Sequence, residues 1–169
     1  MARETLHSKL LPALCLALAI PIGVGIATFR YAEGFSYLSS DPAACANCHI
    51  MWPQYESWQK SSHKAVAGCV DCHLPHDFVG KYIAKAENGW NHSQAFTLQS
   101  FHEPIQINAK NSEILQDGCL HCHAAFVHAQ AGGRAAEIRC VQCHATVGHG
   151  ERVGLGGPLR ELPVNGDPR

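Results

Sequence analysis

Charge is scarce in this chain of 169 residues: Asp, Glu, Lys and Arg together make up 16%, well below the roughly one quarter usual in soluble domains. Neither sign dominates. The formal net charge is −1, so there is no basic field to attract nucleic acid, and none is expected as a partner. Strand signals are faint. No βαβ pattern surrounds the paired cysteines, which excludes a thioredoxin-like dithiol. The length allows one modest domain plus an anchor and is too short for a large side-chain core.

One uncharged stretch is long. Leu10 to Phe29 is a run of twenty residues without a charge, enough to cross a hydrocarbon core of about 30 Å as a helix. Pro12, Pro21 and two glycines interrupt it, residues that membrane helices tolerate. Arg3 and Lys9 precede it against one Glu4. That bias keeps residues 1–9 in the cytoplasm and sends the remainder across the membrane. A cleaved secretory signal is the competing explanation. Its apolar region would span about 7–15 residues and end at small residues, whereas this run leaves through Thr28-Phe29-Arg30-Tyr31. The expected organisation is therefore a transmembrane anchor over 10–30, an extracytoplasmic domain over 31–150, and a flexible Gly/Pro-rich tail over 151–169. Cys15 lies inside the anchor and reads as an inert thiol.

Cysteine and histidine are abundant, at nine and twelve, and they are patterned. Cys45-Ala-Asn-Cys48-His49, Cys69-Val-Asp-Cys72-His73, Cys119-Leu-His-Cys122-His123 and Cys140-Val-Gln-Cys143-His144 are four copies of C-x-x-C-H. At this composition chance would supply about 0.03 copies in the whole chain. Two thiols three residues apart can each add to a vinyl group of one haem, and the following histidine then lies under the iron. A four-cysteine zinc site would leave the histidine after every pair unexplained. Disulfides would need neither the spacing nor the histidine. The motifs predict four covalently attached haem c groups, which fits attachment on the outer side of a bacterial membrane.

The motifs fall into two pairs, 45–76 and 119–149, each closing on a further histidine, His76 or His149. This suggests a duplicated two-haem unit. Between the pairs, Phe78, Val79, Tyr82, Ile83 and Ala86 share one helical face, and Lys81 and Lys85 share another. Asn88-Gly89 is expected to end that helix. The fold class is mostly α and irregular: short helices and loops wrapped round four haems, behind an N-terminal transmembrane helix.

Each iron has two axial positions. The motif histidines His49, His73, His123 and His144 offer the first. His7 lies on the wrong side of the membrane. His63, His76, His92, His102, His121, His128 and His149 remain for the second. His63 and His149 are the leading candidates, each placed to ligate a neighbouring haem. His121, inside a motif, reads as a spacer. Met51, two residues after His49, is either a ligand that raises the potential or a gap-filler.

Together these residues resemble a family. The N-terminal anchor, the extended first motif Cys45-Ala-Asn-Cys48-His49-Ile-Met51 and the second motif's Cys72-His73-Leu-Pro-His76 are similar to the NapC/NirT family of membrane-bound quinol dehydrogenases. The size and the stretch Lys85-Ala-Glu-Asn-Gly-Trp-Asn-His92-Ser resemble the branch formed by the small subunits of cytochrome c nitrite reductase. The resemblance implies electron transfer from menaquinol to a periplasmic multihaem nitrite reductase. It also implies that the position of Met51, not His49, ligates the first haem, and that Lys85 belongs to the quinol site. His92 falls where the family places a polar residue over that haem's open face. It could ligate iron or accept a quinol proton.

The chemistry is consistent with that implication. Quinol oxidation releases two protons and two electrons while a haem takes one electron, so a proton acceptor must stand near an iron at the lipid boundary. His92 can serve near neutral pH, and Lys85 can donate to a quinone oxygen. Lysines reaching for lipid headgroups are the simpler account of Lys81 and Lys85. Trp52, Trp58 and Trp90 could anchor at the interface or pack on haem faces. Alternative functions are a general electron hub for other periplasmic reductases and a membrane-tethered relay without a quinol site. A soluble carrier conflicts with the anchor, a haem sensor needs fewer haems, and a stand-alone nitrite reductase needs a larger chain.

Overall fold

The computed structural model describes residues 2–131 and 139–150, with side chains placed over 9–128 and 139–150. The expected tail over 151–169 and the His7 side chain lie outside the described residues. The chain separates into two units, 1–36 and 37–169.

The first unit is the helix α1 (Ala2–Tyr31) with a short exit. Lys9–Tyr31 has a mean hydropathy of 2.4 and no side chain buried against protein. Leu10, Leu11, Leu14, Ile20, Ile22 and Ile26 are all more than half exposed. Apolar on every side, the helix has the length and composition for lipid rather than for the surface of a globule. It ends where Glu33 takes a left-handed φ of 54°. There the Phe29 and Phe35 rings meet edge to face at 5.1 Å.

Among its described residues the second unit is made of helices and the loops between them, with no strand. Its helices are α2 (Pro42–Cys45), α3 (Trp52–Gln59), α4 (Cys69–His73), α5 (Phe78–Leu98), α6 (Ala109–Ala131) and α7 (Cys140–Cys143). A 3-10 turn, His49–Met51, leads into α3. The starts follow local chemistry. Asp41 caps α2 through Ala43 N at 2.9 Å with Pro42 as first helical residue, and Asp77 caps α5 through Gly80 N at 2.6 Å. Both side chains satisfy amide groups that a helix start leaves unpaired.

Two of these helices are long. Helix α5 does not stop at Asn88-Gly89 but continues to Leu98 and ends on Gln99 at φ 55°. Asn88 is not used as a cap: its side-chain oxygen accepts from Asn111 Nδ2 of α6 at 2.9 Å. Gly89 admits a neighbour, because a Cβ there would lie 3.2 Å from the Tyr37 ring. Tertiary contact thus overrides two weak helix-stop signals. The expected apolar face forms, but Phe78, Val79 and Ile83 point outward. The lysines turn inward instead: Lys81 Nζ donates to Ser40 Oγ at 2.9 Å, and buried Lys85 Nζ donates to the Ser39 carbonyl.

Helix α4 packs on α6, and Gly118 is the reason they can approach. A Cβ there would meet the carbonyl oxygens of Asp71 and Cys72 at 3.1 and 3.3 Å. Helix α7 is held to α6 by Gln116, whose side chain accepts from Cys140 N at 3.1 Å, and by an Arg139–Glu113 ion pair. The side-chain core is slight. Ala46, Leu74 and Ala84 are the buried apolar residues, and no large side chain is fully buried among the described residues.

Candidate functional site

Cysteines three apart and a histidine one further on fall on one side of a helical turn. The structure uses this in three motifs: α4 is Cys69–His73, α7 begins Cys140–Cys143, and Cys119–His123 lies within α6. In the first motif α2 ends on Cys45, and His49 opens the 3-10 turn that Met51 closes. All eight motif thiols are free of disulfides. The motifs meet in chain order, since α2 touches α4, α4 touches α6, and α6 touches α7. Thiols meet across motifs as well, Cys45 with Cys69 and Cys119 with Cys140.

Two pairs of imidazoles have a separation that suits a shared metal. The His73 and His149 ring centres stand 6.0 Å apart, and those of His63 and His123 stand 6.2 Å apart. A metal bonded at about 2.0 Å to one nitrogen of each ring would place the centres roughly 6 Å apart. His149 Nδ1 donates to the Gln54 carbonyl at 3.0 Å, which leaves Nε2 with its lone pair facing away from that bond. Burial, reinforced by His149, lowers the pKa of His73 to about 4. It is therefore neutral at pH 7, as a metal ligand must be. Ser62 hydrogen-bonds His63 Nδ1 at 3.2 Å. The donor set therefore fits haem c: paired thiols on one side of a turn, a histidine beside them, and for two motifs a second imidazole opposite.

His76 and His121 are arranged differently. Their rings stack at 3.9 Å and 13°, too close to hold an iron between them. They line a cavity of about 300 Å³ together with Asp77, Asp117 and Gly118.

A second cluster gathers round the first motif. Lys85 lies close enough to Cys45 to favour its thiolate, and its ammonium stands 5.7 Å from the Tyr82 ring centre. Burial, with help from Lys81, lowers the Lys85 pKa. His92, two turns along α5, is lowered by burial as well. The Tyr37 hydroxyl is 3.5 Å from His92 Nδ1, and Tyr37 also lies beside Cys48 and Cys45. The sequence offered Lys85, His92 and Met51 but not Tyr37, which sits in no motif. A glycine in mid-helix, three residues before His92, was the available signal that another side chain comes close.

The tryptophans divide. Trp58 Nε1 donates to the Ala67 carbonyl and Trp52 Nε1 to the Ala46 carbonyl, both at 3.0 Å, and Trp90 is exposed.

The chain is similar to known proteins. The chain is 48% identical over 108 residues to the cytochrome c-type protein NrfH of Wolinella succinogenes, covering 63% of this chain and 61% of that one. It is 31% identical over 100 residues to the cytochrome c nitrite reductase subunit NrfH of Nitratidesulfovibrio vulgaris, covering 59% and 60%. The match thus spans about three fifths of these curated relatives. A crystal structure of the cytochrome c nitrite reductase NrfHA complex bound to the HQNO inhibitor contains a similar chain. Its TM-score is 0.59 at 28% identity, covering 81% of this chain and 90% of that one. The model of the NapC/NirT cytochrome c family, N-terminal region, matches residues 8–153. With its apolar N-terminal helix and its run of C-x-x-C-H turns, the chain belongs to the NapC/NirT cytochrome c family, a membrane-anchored cytochrome carrying covalent haem c.

Proposed function

We propose that this protein oxidises menaquinol at the outer face of the bacterial inner membrane and passes the electrons to a periplasmic multihaem nitrite reductase. The observation that carries this reading is that Lys85 and Tyr37 lie beside the first motif, with His92 against Tyr37, at one end of a file of motifs in contact. The names of its relatives, a nitrite reductase subunit and a nitrite reductase complex holding an inhibitor, favour the same reading.

The four motifs would hold one haem each, groups that accept and release single electrons. Cys45, Cys48 and Met51, in place of His49, would hold the first; Cys69, Cys72, His73 and His149 the second; Cys119, Cys122, His123 and His63 the third; and Cys140, Cys143 and His144 the fourth. Contact of the motifs in chain order would set these groups in file from first to fourth.

At the entry, the Lys85 ammonium is fixed by the Ser39 carbonyl and keeps further N–H groups for a quinol oxygen. Its partial desolvation strengthens that hydrogen bond. His92 accepts the proton of a quinol hydroxyl. Its lowered pKa keeps it neutral, and so able to accept, at pH 7.

Rapid mixing of the detergent-solubilised protein with a reduced menaquinone analogue tests the proposal, with the haem bands followed in time. Reduction should be fast in the wild type. It should slow by roughly 10²-fold in Lys85→Ala or His92→Ala, the usual scale for loss of a positioned acid or base. Reduction by dithionite but not by quinol would refute the assignment.

A further inference from the structure

Tyr37, whose hydroxyl meets the His92 ring, has no part in the proposed mechanism so far. We infer that Tyr37 is a positioning residue of the quinol site: seated in the notch at Gly89, its hydroxyl holds the His92 imidazole by Nδ1 and so presents Nε2 to the quinol. This rests on the quinol reading above and adds a residue to it.

Three observations support it. The hydroxyl lies 3.5 Å from Nδ1, the long end of the hydrogen-bond range. The notch is specific: a Cβ at Gly89 would stand 3.2, 3.4 and 3.6 Å from Cε1, Cδ1 and Cζ of Tyr37, so one edge of the ring lies flat on the helix where glycine leaves room. Gly89 and His92 are three apart on α5, hence on one face. A ring resting on the first therefore brings its hydroxyl to the second. Tyr37 also neighbours both cysteines of the first motif.

The direction of the hydrogen bond follows from the chemistry. A quinol hydroxyl is a donor, so the nitrogen that meets it must carry a lone pair. That nitrogen is Nε2, because Nδ1 faces Tyr37. The neutral imidazole then has its hydrogen on Nδ1, donated to the phenol oxygen, and the tautomer is set by the partner of the other nitrogen. Without that acceptor the ring can turn or change tautomer and offer the quinol an N–H instead.

The test uses the full-length, haem-loaded protein with the same quinol analogue. Tyr37→Phe should lower kcat about tenfold, the scale of one hydrogen bond lost from an oriented base. KM should change by less than about twofold, since the group does not bind substrate. Dithionite reduction and the visible and paramagnetic resonance spectra of the haems should not change. Gly89→Ala keeps the hydroxyl but displaces the ring, and should lower kcat in the same way. In a His92→Ala background, Tyr37→Phe should have no further effect, because Tyr37 acts through His92. Three outcomes would each overturn the inference: an unchanged quinol rate in Tyr37→Phe, a parallel fall in dithionite reduction or haem content, or an added loss in the His92→Ala background. If the wild type is not reduced by quinol at all, the quinol reading fails and takes this inference with it. If the wild type is reduced and Lys85→Ala and His92→Ala are slow while Tyr37→Phe is normal, only this inference fails.

Discussion

The imidazole of His149 donates through Nδ1 to the Gln54 carbonyl, and its ring centre stands 6.0 Å from that of His73. On the proposed ligation, replacing it by alanine removes one axial partner without touching a cysteine. His149→Ala should retain the full haem mass by mass spectrometry while one haem turns from low to high spin in the absorption and resonance spectra. A spectrum identical to wild type would remove His149 from the ligand set. Candidate ligands could be listed from the sequence because a histidine follows each cysteine pair and because more histidines remain than the second axial positions need. Which histidine faces which motif could not, since that depends on how α3, α4 and α6 pack. Tyr37 was less legible still. Its role comes from a notch at Gly89, and a backbone cavity leaves no pattern in the side chains around it.

Among the elements, the contact between α4 and α6 brings the second and third motifs together, and it hinges on one absent side chain. Gly118→Val would drive two methyl groups against the backbone oxygens of Asp71 and Cys72, atoms that cannot swing aside as a side-chain tip could. The expected loss is about 1–3 kcal/mol, the usual cost of overpacking. It should appear as a lower thermal midpoint of the haem-loaded protein and as incomplete haem attachment at the second and third motifs. Wild-type stability and haem content in this variant would show that the two helices can part freely. Helical character and the period of α5 were legible from apolar spacing. Its length was not: Asn88 and Gly89 are ambiguous as letters, and they resolve only against Asn111 and Tyr37. The outward turn of Phe78, Val79 and Ile83 was likewise hidden, because periodicity identifies a face but not what lies opposite it.

For the molecule as a whole, the sequence announced an anchor and a multihaem domain, since both are written in local code, a long uncharged run and a repeated five-residue motif. A helix apolar on all sides should hold the protein in the bilayer through washing with high salt and with alkaline carbonate, and release it only in detergent. Recovery of the haem-containing chain in the carbonate supernatant would mean that α1 is not an integral anchor.

Among its described residues the second unit buries few apolar side chains, Ala46, Leu74 and Ala84, so these alone offer little to outweigh the conformational entropy of ordering the chain. A chain built this way should not wait, folded and empty, for its prosthetic groups; attachment and folding should be one event. Copies that miss attachment stay open to proteases, so when iron runs short the cell would lose the protein itself rather than accumulate an inactive form of it.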